Sequence, residues 1–223
     1  MAALKGAFIS LGGGLLGALP NVVVFQFNPE KVTRTPALAQ TPPRPSGAGA
    51  QNGSDQPAAP TETYSFALRL DATDQLAEGN PIAAASGVLP ALSAIEQLMQ
   101  PASSNELSFL PPIPGLGGGG ASKSFDYPPS RLPTVLFFWG PFRIWPVAIT
   151  SLSISETEYN TLLVPVRAEV TVNLSVLTTT QLSGETLALG AYDYSKGVRE
   201  VMAALNLANA AATGISAALS VAL

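Results

Sequence analysis

The chain has no cysteine and no histidine among its 223 residues. The two absences exclude Ser-His-Asp and Cys-His nucleophilic arrangements, zinc sites built on His and Cys, haem thiolates and any disulfide framework. Acid–base chemistry would fall to carboxylates, lysine or tyrosine. Charge is also scarce: Asp, Glu, Lys and Arg make up 12% of the residues, about half the usual share of roughly 25%. Eleven Lys and Arg against fifteen Asp and Glu leave a net charge of −4, without the basic footprint of a nucleic-acid binder. What is abundant is apolar: 47% of the residues are hydrophobic. A chain of this length buries one substantial core. With so few charges, part of its apolar surface is expected to meet a partner subunit or a membrane.

Both ends invite a membrane reading that the residues weaken. The first twenty residues resemble a signal peptide, with Lys5 ahead of an apolar run. Gly12, Gly13, Gly14 and Gly17 spoil that run as a helix, since each costs about 1 kcal/mol relative to alanine. A short strand at 7–11 followed by a glycine turn is the preferred reading. The turn matches G-x-G-x-x-G, but Pro20 and a Val-rich run follow instead of a helix. A pyrophosphate would find no helix N-terminus there, and no cofactor is expected. After Glu200 no charge appears through Leu223, long enough to span a bilayer. The stretch is mostly alanine, however. Asn206, Asn209, Thr213, Ser216 and Ser220 recur at helical spacing as one polar stripe. A helix whose stripe faces water or a neighbouring subunit is preferred to a membrane span.

Between the ends, strand-like blocks alternate with Pro/Gly-rich gaps. Residues 22–27 read as a strand. Residues 36–60 hold six prolines and read as a loop. Residues 63–71 alternate, with Tyr64, Phe66, Leu68 and Leu70 on one face. Residues 81–99 read as a helix broken near Gly87 and Pro90, with Leu92, Ile95, Leu98 and Met99 on one face. Residues 101–133 form a second loop. Strands follow at 134–139, 142–149 and 151–155, and a parity shift between Ile149 and Leu152 predicts a bulge. The strand at 166–176 alternates throughout, with Val166, Ala168, Val170, Val172, Leu174 and Val176 on one face and polar residues on the other. The expected fold is α+β: a mainly antiparallel sandwich or barrel with one central helix and a C-terminal Ala-rich helix. A β domain at 1–180 and a helical extension at 181–223 are the expected units.

No catalytic constellation stands out. Glu156 and Glu158 share a side of a strand, as a glycosidase pair would, but such pairs are more often solvated surface. Asp71, Asp74 and Glu78 lack the spacing of a calcium loop. Arg167 is expected to pair with Glu156 or Glu169, or to face solvent. No catalytic residue, metal ligand or cofactor is expected, and the chain is read as a non-enzyme.

Three blocks bear on identity. The first is Val24-Phe25-Gln26-Phe27-Asn28-Pro29-Glu30 with Thr33-Arg34. The second is Leu68-Arg69-Leu70-Asp71-Ala72-Thr73-Asp74 with Ile95-Glu96-Gln97-Leu98. The third runs from Val135-Leu136-Phe137-Phe138-Trp139-Gly140 through Pro146-Val147 and Ile154-Ser155-Glu156 to Val164-Pro165-Val166-Arg167-Ala168-Glu169-Val170. Their order resembles the tube-like baseplate proteins of extracellular contractile injection systems, the phage-tail-like particles of antifeeding-prophage type. The resemblance implies a β-rich domain related to tail-tube subunits. It implies a homo-oligomer, a hexameric ring at the tube/baseplate junction that links inner tube to spike and baseplate. The partners it implies are inner-tube, spike and other baseplate proteins, with assembly in the cytoplasm into a particle that is released or membrane-docked. Some family members carry a C-terminal LysM module; this chain has the Ala-rich helix in its place. Tube initiator, baseplate adaptor and cap all remain open as its slot. Candidate inter-subunit residues are Phe25, Phe27, Asn28, Phe138, Trp139, Arg167, Glu169, Asn206, Asn209, Thr213 and Ser216. The alternative is a membrane-associated assembly or secretion protein anchored by its C-terminal helix.

Overall fold

The computed structural model describes residues 4–11, 21–38, 60–100 and 132–212. The glycine motif at Gly12, Gly14 and Gly17, most of the two Pro-rich stretches, and Thr213, Ser216 and Ser220 lie outside the described residues.

The described strands are β1 (Ala7–Leu11), β2 (Val22–Val24), β3 (Val32–Ala37), β4 (Thr61–Asp71), β5 (Thr134–Phe138), β6 (Ile144–Tyr159) and β7 (Pro165–Val176). They form one antiparallel sheet in the order β2-β1-β5-β6-β7-β4-β3. The expectation of a sandwich or barrel resolves into a single sheet curled on itself. Phe66 on β4 lies 5.3 Å from Phe137 on β5, and 6.2 Å from Phe8 on β1. Two strands separate β4 from β5 in the sheet, so only strong curvature brings these rings together. Curvature of this kind follows from the right-handed twist of strands, and a bulge increases it. The β6–β7 register does shift between Ile149 and Ser151, where the parity of the sequence changes.

Side chains inside the curl form one core. Phe8, Phe25, Tyr64, Phe66 and Phe137 are nearly inaccessible and meet in tilted, stacked and edge-on pairs. The inward rows of β4 and β7, Leu68 and Leu70 with Ala168, Val170, Val172 and Leu174, complete it. Each fully buried aliphatic side chain contributes about 1.5–3 kcal/mol relative to an exposed one.

Strand β2 is shorter than the pattern at 22–27 predicts. It stops at Val24 because the next residues turn to other tasks. Phe25 enters the core and sets its ring edge-on, 4.9 Å from Phe8. Gln26 spans to the far part of the sheet: its Nε2 donates to the Asp71 carbonyl at 2.6 Å, and its Oε1 accepts from the Asp71 N–H at 2.9 Å. A side-chain amide thus takes the hydrogen-bonding place of a strand on β4, beyond the reach of β3, which pairs with residues 61–66. Asn28 does the same for the N-terminal segment, accepting from Gly6 N–H and donating to the Leu4 carbonyl.

A short helix α1 (Thr73–Ala77) comes first, and the helix expected at 81–99 is two short helices, α2 (Pro81–Ser86) and α3 (Leu89–Glu96), with a 3₁₀ turn at Gln97–Met99. Asn80 caps α2, accepting from the N–H groups of Ile82 and Ala83, and Pro81 fills its first turn. Gly87 separates α2 from α3, with φ 52° and ψ −127°. Leu92, Ile95 and Leu98 then enter the core, as their spacing predicts.

Helix α4 (Thr186–Ala212) has 27 residues, about 40 Å of helix. Its first half packs on β5 and β6. Ser195, 1% exposed, fastens it there, donating to the Ile144 carbonyl at 2.6 Å and accepting from the Ile144 N–H at 3.0 Å. Tyr194 Oη donates to the Pro141 carbonyl.

Candidate functional site

The described interface candidates from the sequence separate into five groups. Phe25 belongs to the core and is 2% exposed, so it offers nothing to a neighbour. Asn28 is exposed, but its amide is used within the chain. Phe138 and Trp139 are half-buried at the end of β5, Trp139 stacking 6.0 Å from Phe137. Phe27, Arg167 and Glu169 line one concavity on the outside of the sheet. Asn206 and Asn209 lie on the exposed second half of α4.

That outer concavity has a volume of about 1020 Å³. Strands β4, β7 and β6 present to it a face of small polar groups. Across β4 and β7 the facing pairs are Thr63–Ser175, Ser65–Asn173, Ala67–Thr171, Arg69–Glu169 and Asp71–Arg167. Across β7 and β6 they are Asn173–Ser151, Thr171–Ser153, Glu169–Ser155 and Arg167–Thr157. No large apolar side chain occurs in this grid. Its charges alternate in sign from row to row, and opposite charges face each other across strands, an arrangement that stabilises a sheet. Arg167 does not meet Glu156 or Glu169 as expected. Its Nε donates to Asp71 at 2.8 Å and its Nη1 to Glu158 at 2.6 Å. Glu158 reaches it from a left-handed backbone position, φ 56°, which swings its carboxylate away from the regular pleat. Glu156 instead accepts from Tyr159 Oη. The Glu156/Glu158 pair is therefore divided between different partners.

Asp71 sits at the centre of this edge. Burial would raise its pKa, but the Thr73 hydroxyl and N–H and the Arg167 guanidinium outweigh burial and hold it below the ordinary value.

A second cluster lies where the start of β4 meets β3 and α4. Glu62 is 6% exposed, on the same inward row as Tyr64 and Phe66. Its carboxylate accepts from Arg34 Nε on β3, from Tyr64 Oη at 2.7 Å, and from Arg199 Nη2 on α4 at 2.9 Å. Burial would raise the Glu62 pKa, but the Tyr64 hydroxyl and the two guanidiniums prevail and lower it. The same burial and the Glu62 carboxylate push the Tyr64 phenol well above its usual value. Arg199 also stacks on Trp145, 4.4 Å from the ring centroid. One carboxylate thus binds strand, edge strand and helix together. The sequence held a signal for this cluster: position 62 continues the inward parity of 64, 66, 68 and 70, and a carboxylate there requires cationic partners. The partners, distant in sequence, were not legible.

Two apolar features face outward. At the β6–β7 turn, Asn160 Oδ1 accepts from the N–H groups of Leu162 and Val164. That turn holds Leu162 and Leu163 at 71% and 81% exposure. Beyond Glu200, α4 leaves Val201, Met202, Leu205 and Leu207 exposed.

Among the described residues no helix is long and apolar enough to cross a membrane, and no three His, Cys, Asp or Glu side chains converge as a metal site. No protein-family model matches the chain, and no curated protein matches it.

Proposed function

We propose that the chain is a structural ring subunit of a contractile injection system, placed at the junction of inner tube and baseplate, with the Ser/Thr face of β4, β7 and β6 turned toward the channel. The observation that carries this reading is that face. Over the paired rows from Thr63–Ser175 to Asp71–Arg167 and from Ser151 to Thr157, three adjacent strands carry small, polar or charge-balanced side chains, where a sheet packed on a partner would carry Val, Leu or aromatic residues. Such a surface offers nothing for a passing protein to adhere to. The other exposed features suit contacts between copies. Among the described residues the sheet ends at β2 and β3, and strand edges of this kind are ones that neighbours cover. The Leu162–Leu163 tip and the exposed Val201, Met202, Leu205 and Leu207 of α4 supply apolar surface away from the polar face. The blocks behind the family resemblance have structural employment consistent with it: Gln26 and Asn28 clamp backbone, and Arg167 opens β7 with a double ion pair. Six copies in a closed ring, with tube, spike and other baseplate proteins above and below, is the assembly proposed.

The absence of cysteine makes the orientation testable. Ser153→Cys places one thiol in the middle of the polar face; Leu187→Cys places one on α4, where Leu187 is 62% exposed. In assembled particles a small maleimide should label both. A maleimide on a bulky polymer should label Leu187→Cys and be at least tenfold slower at Ser153→Cys. Equal rates of bulky labelling at the two positions would put the polar face outside and end this reading.

A further inference from the structure

Between α4 and the turn joining β5 to β6 lies a cleft of about 490 Å³ that the ring reading does not use. Arg34, Arg143 and Arg199 line it, together with Trp139, Phe142 and Trp145. Three guanidiniums therefore line a cleft with no carboxylate among its lining residues; Glu62, behind it, accepts from two of them. Arg143 has no ion-pair partner among the described residues, and Arg34 commits only its Nε to Glu62. The remaining guanidinium N–H groups are a fork suited to carboxylate or phosphate oxygens. The walls are aromatic. The Trp145 indole is 3% exposed and forms the floor of the cleft beneath Arg199. The volume falls within the range of small-molecule sites, roughly 300–1,000 Å³.

We propose that this cleft binds a small aromatic anion: a planar ring that packs against Trp139 and Phe142 and carries a carboxylate or phosphate toward Arg143 and Arg34. Every residue that lines the site belongs to one chain. The excess of cation over carboxylate sets the sign of the ligand, and the aromatic walls set its shape.

The chain reports on its own cleft. It contains two tryptophans, Trp139 and Trp145, and both line the site. The full chain is titrated with phenyl phosphate and benzoate, and with inorganic phosphate and cyclohexanecarboxylate as non-aromatic controls, while tryptophan emission is followed. The expected result is a saturable change with phenyl phosphate or benzoate, with apparent affinity at least about tenfold above that of either control, a difference of about 1.4 kcal/mol. Arg143→Ala should weaken binding about tenfold without lowering Tm, because Arg143 takes part in none of the fold's ion pairs. Repeating the titration in Trp139→Phe isolates the Trp145 signal. A strictly linear quench, or none up to about 10 mM, overturns the site. Equal response to inorganic phosphate overturns the aromatic class. Full-strength binding by Arg143→Ala overturns the assignment of the anion to that arginine.

Discussion

Replacing Gly87 with alanine is expected to be the most damaging single-methyl change in the described chain. Gly87 closes α2, with its N–H donating to the Ala83 carbonyl, and turns the chain into α3 with φ 52° and ψ −127°. Side chains rarely adopt that backbone conformation. Space is also lacking: a Cβ there would lie 2.2 Å from the Pro165 carbonyl oxygen and 3.1 Å from its carbon. Those atoms are backbone at the start of β7, so no rotamer change relieves the overlap. The same carbonyl accepts from the Val88 N–H at 3.0 Å. Relieving the clash therefore costs that bond and pulls Leu92 and Ile95 from the core. Strain and packing together should cost about 3–5 kcal/mol. For a chain of this size each kcal/mol lowers Tm by about 2–4 °C, so a drop of about 10 °C or more is expected by circular dichroism. Gly79→Ala is the control. Its φ is 72°, yet a Cβ there meets nothing within 4 Å, so only backbone strain of about 1 kcal/mol is paid. Equal melting of the two variants would mean that α3 does not pack on the start of β7 as described.

Glu62→Gln is expected to have the second-largest effect, and its dependence on pH gives it a signature. The carboxylate is buried, while the Arg34 and Arg199 side chains are 38% and 45% exposed. Removing its charge leaves two guanidiniums facing each other across a neutral amide that cannot accept from both and from Tyr64 equally well. Loss of one member of a buried pair costs about 3–5 kcal/mol. Partial exposure of the arginines brings the expectation here to about 2–3 kcal/mol at neutral pH. The folded chain holds the Glu62 pKa below its ordinary value of 4.5. As pH falls the unfolded chain takes up this proton first, which favours unfolding. The stabilisation from Glu62 is therefore complete above the ordinary value and disappears as pH drops through the folded value. The melting temperatures of the parent and Glu62→Gln should differ most near pH 7 and approach each other in acid. Asp71, also held low, gives both proteins a common acid loss. A difference that stayed constant from neutral pH into acid would contradict the ionised, triply bonded Glu62.

The parts of the fold written in local pattern were legible. Alternation over 64–70 and 166–176 gave β4, β7 and their inward rows, because a two-residue period leaves one way to face a core. The parity shift after Ile149 located the bulge. Leu92, Ile95 and Leu98 gave the buried face of α3, and Gly87 the break before it. What was missed lacked such a pattern. β3, Val-Thr-Arg-Thr-Pro-Ala, is exposed almost throughout and carries Pro36, which an edge strand tolerates; its residues 36 and 37 were read as part of a loop. Gln26 on Asp71 and Arg199 on Glu62 join residues 45 and 137 positions apart, and no spacing rule announces such pairs. For Phe25 the sequence leaves core and contact both open, with core the commoner role of such aromatics; the ring beside Phe8 and Phe66 is core. Of the candidate site, the polar row of β7 was visible as alternation. That β4 and β6 continue it into one broad face required the register.

The central claim is that copies of this chain close into a ring with a polar channel. The most direct test is the mass and shape of the full chain in detergent-free solution, by light scattering with electron microscopy over a concentration series. The account predicts closed rings of six times the 22.9 kDa chain mass, with an open centre. A single species at the mass of one chain across the whole series, without rings in the images, would contradict it.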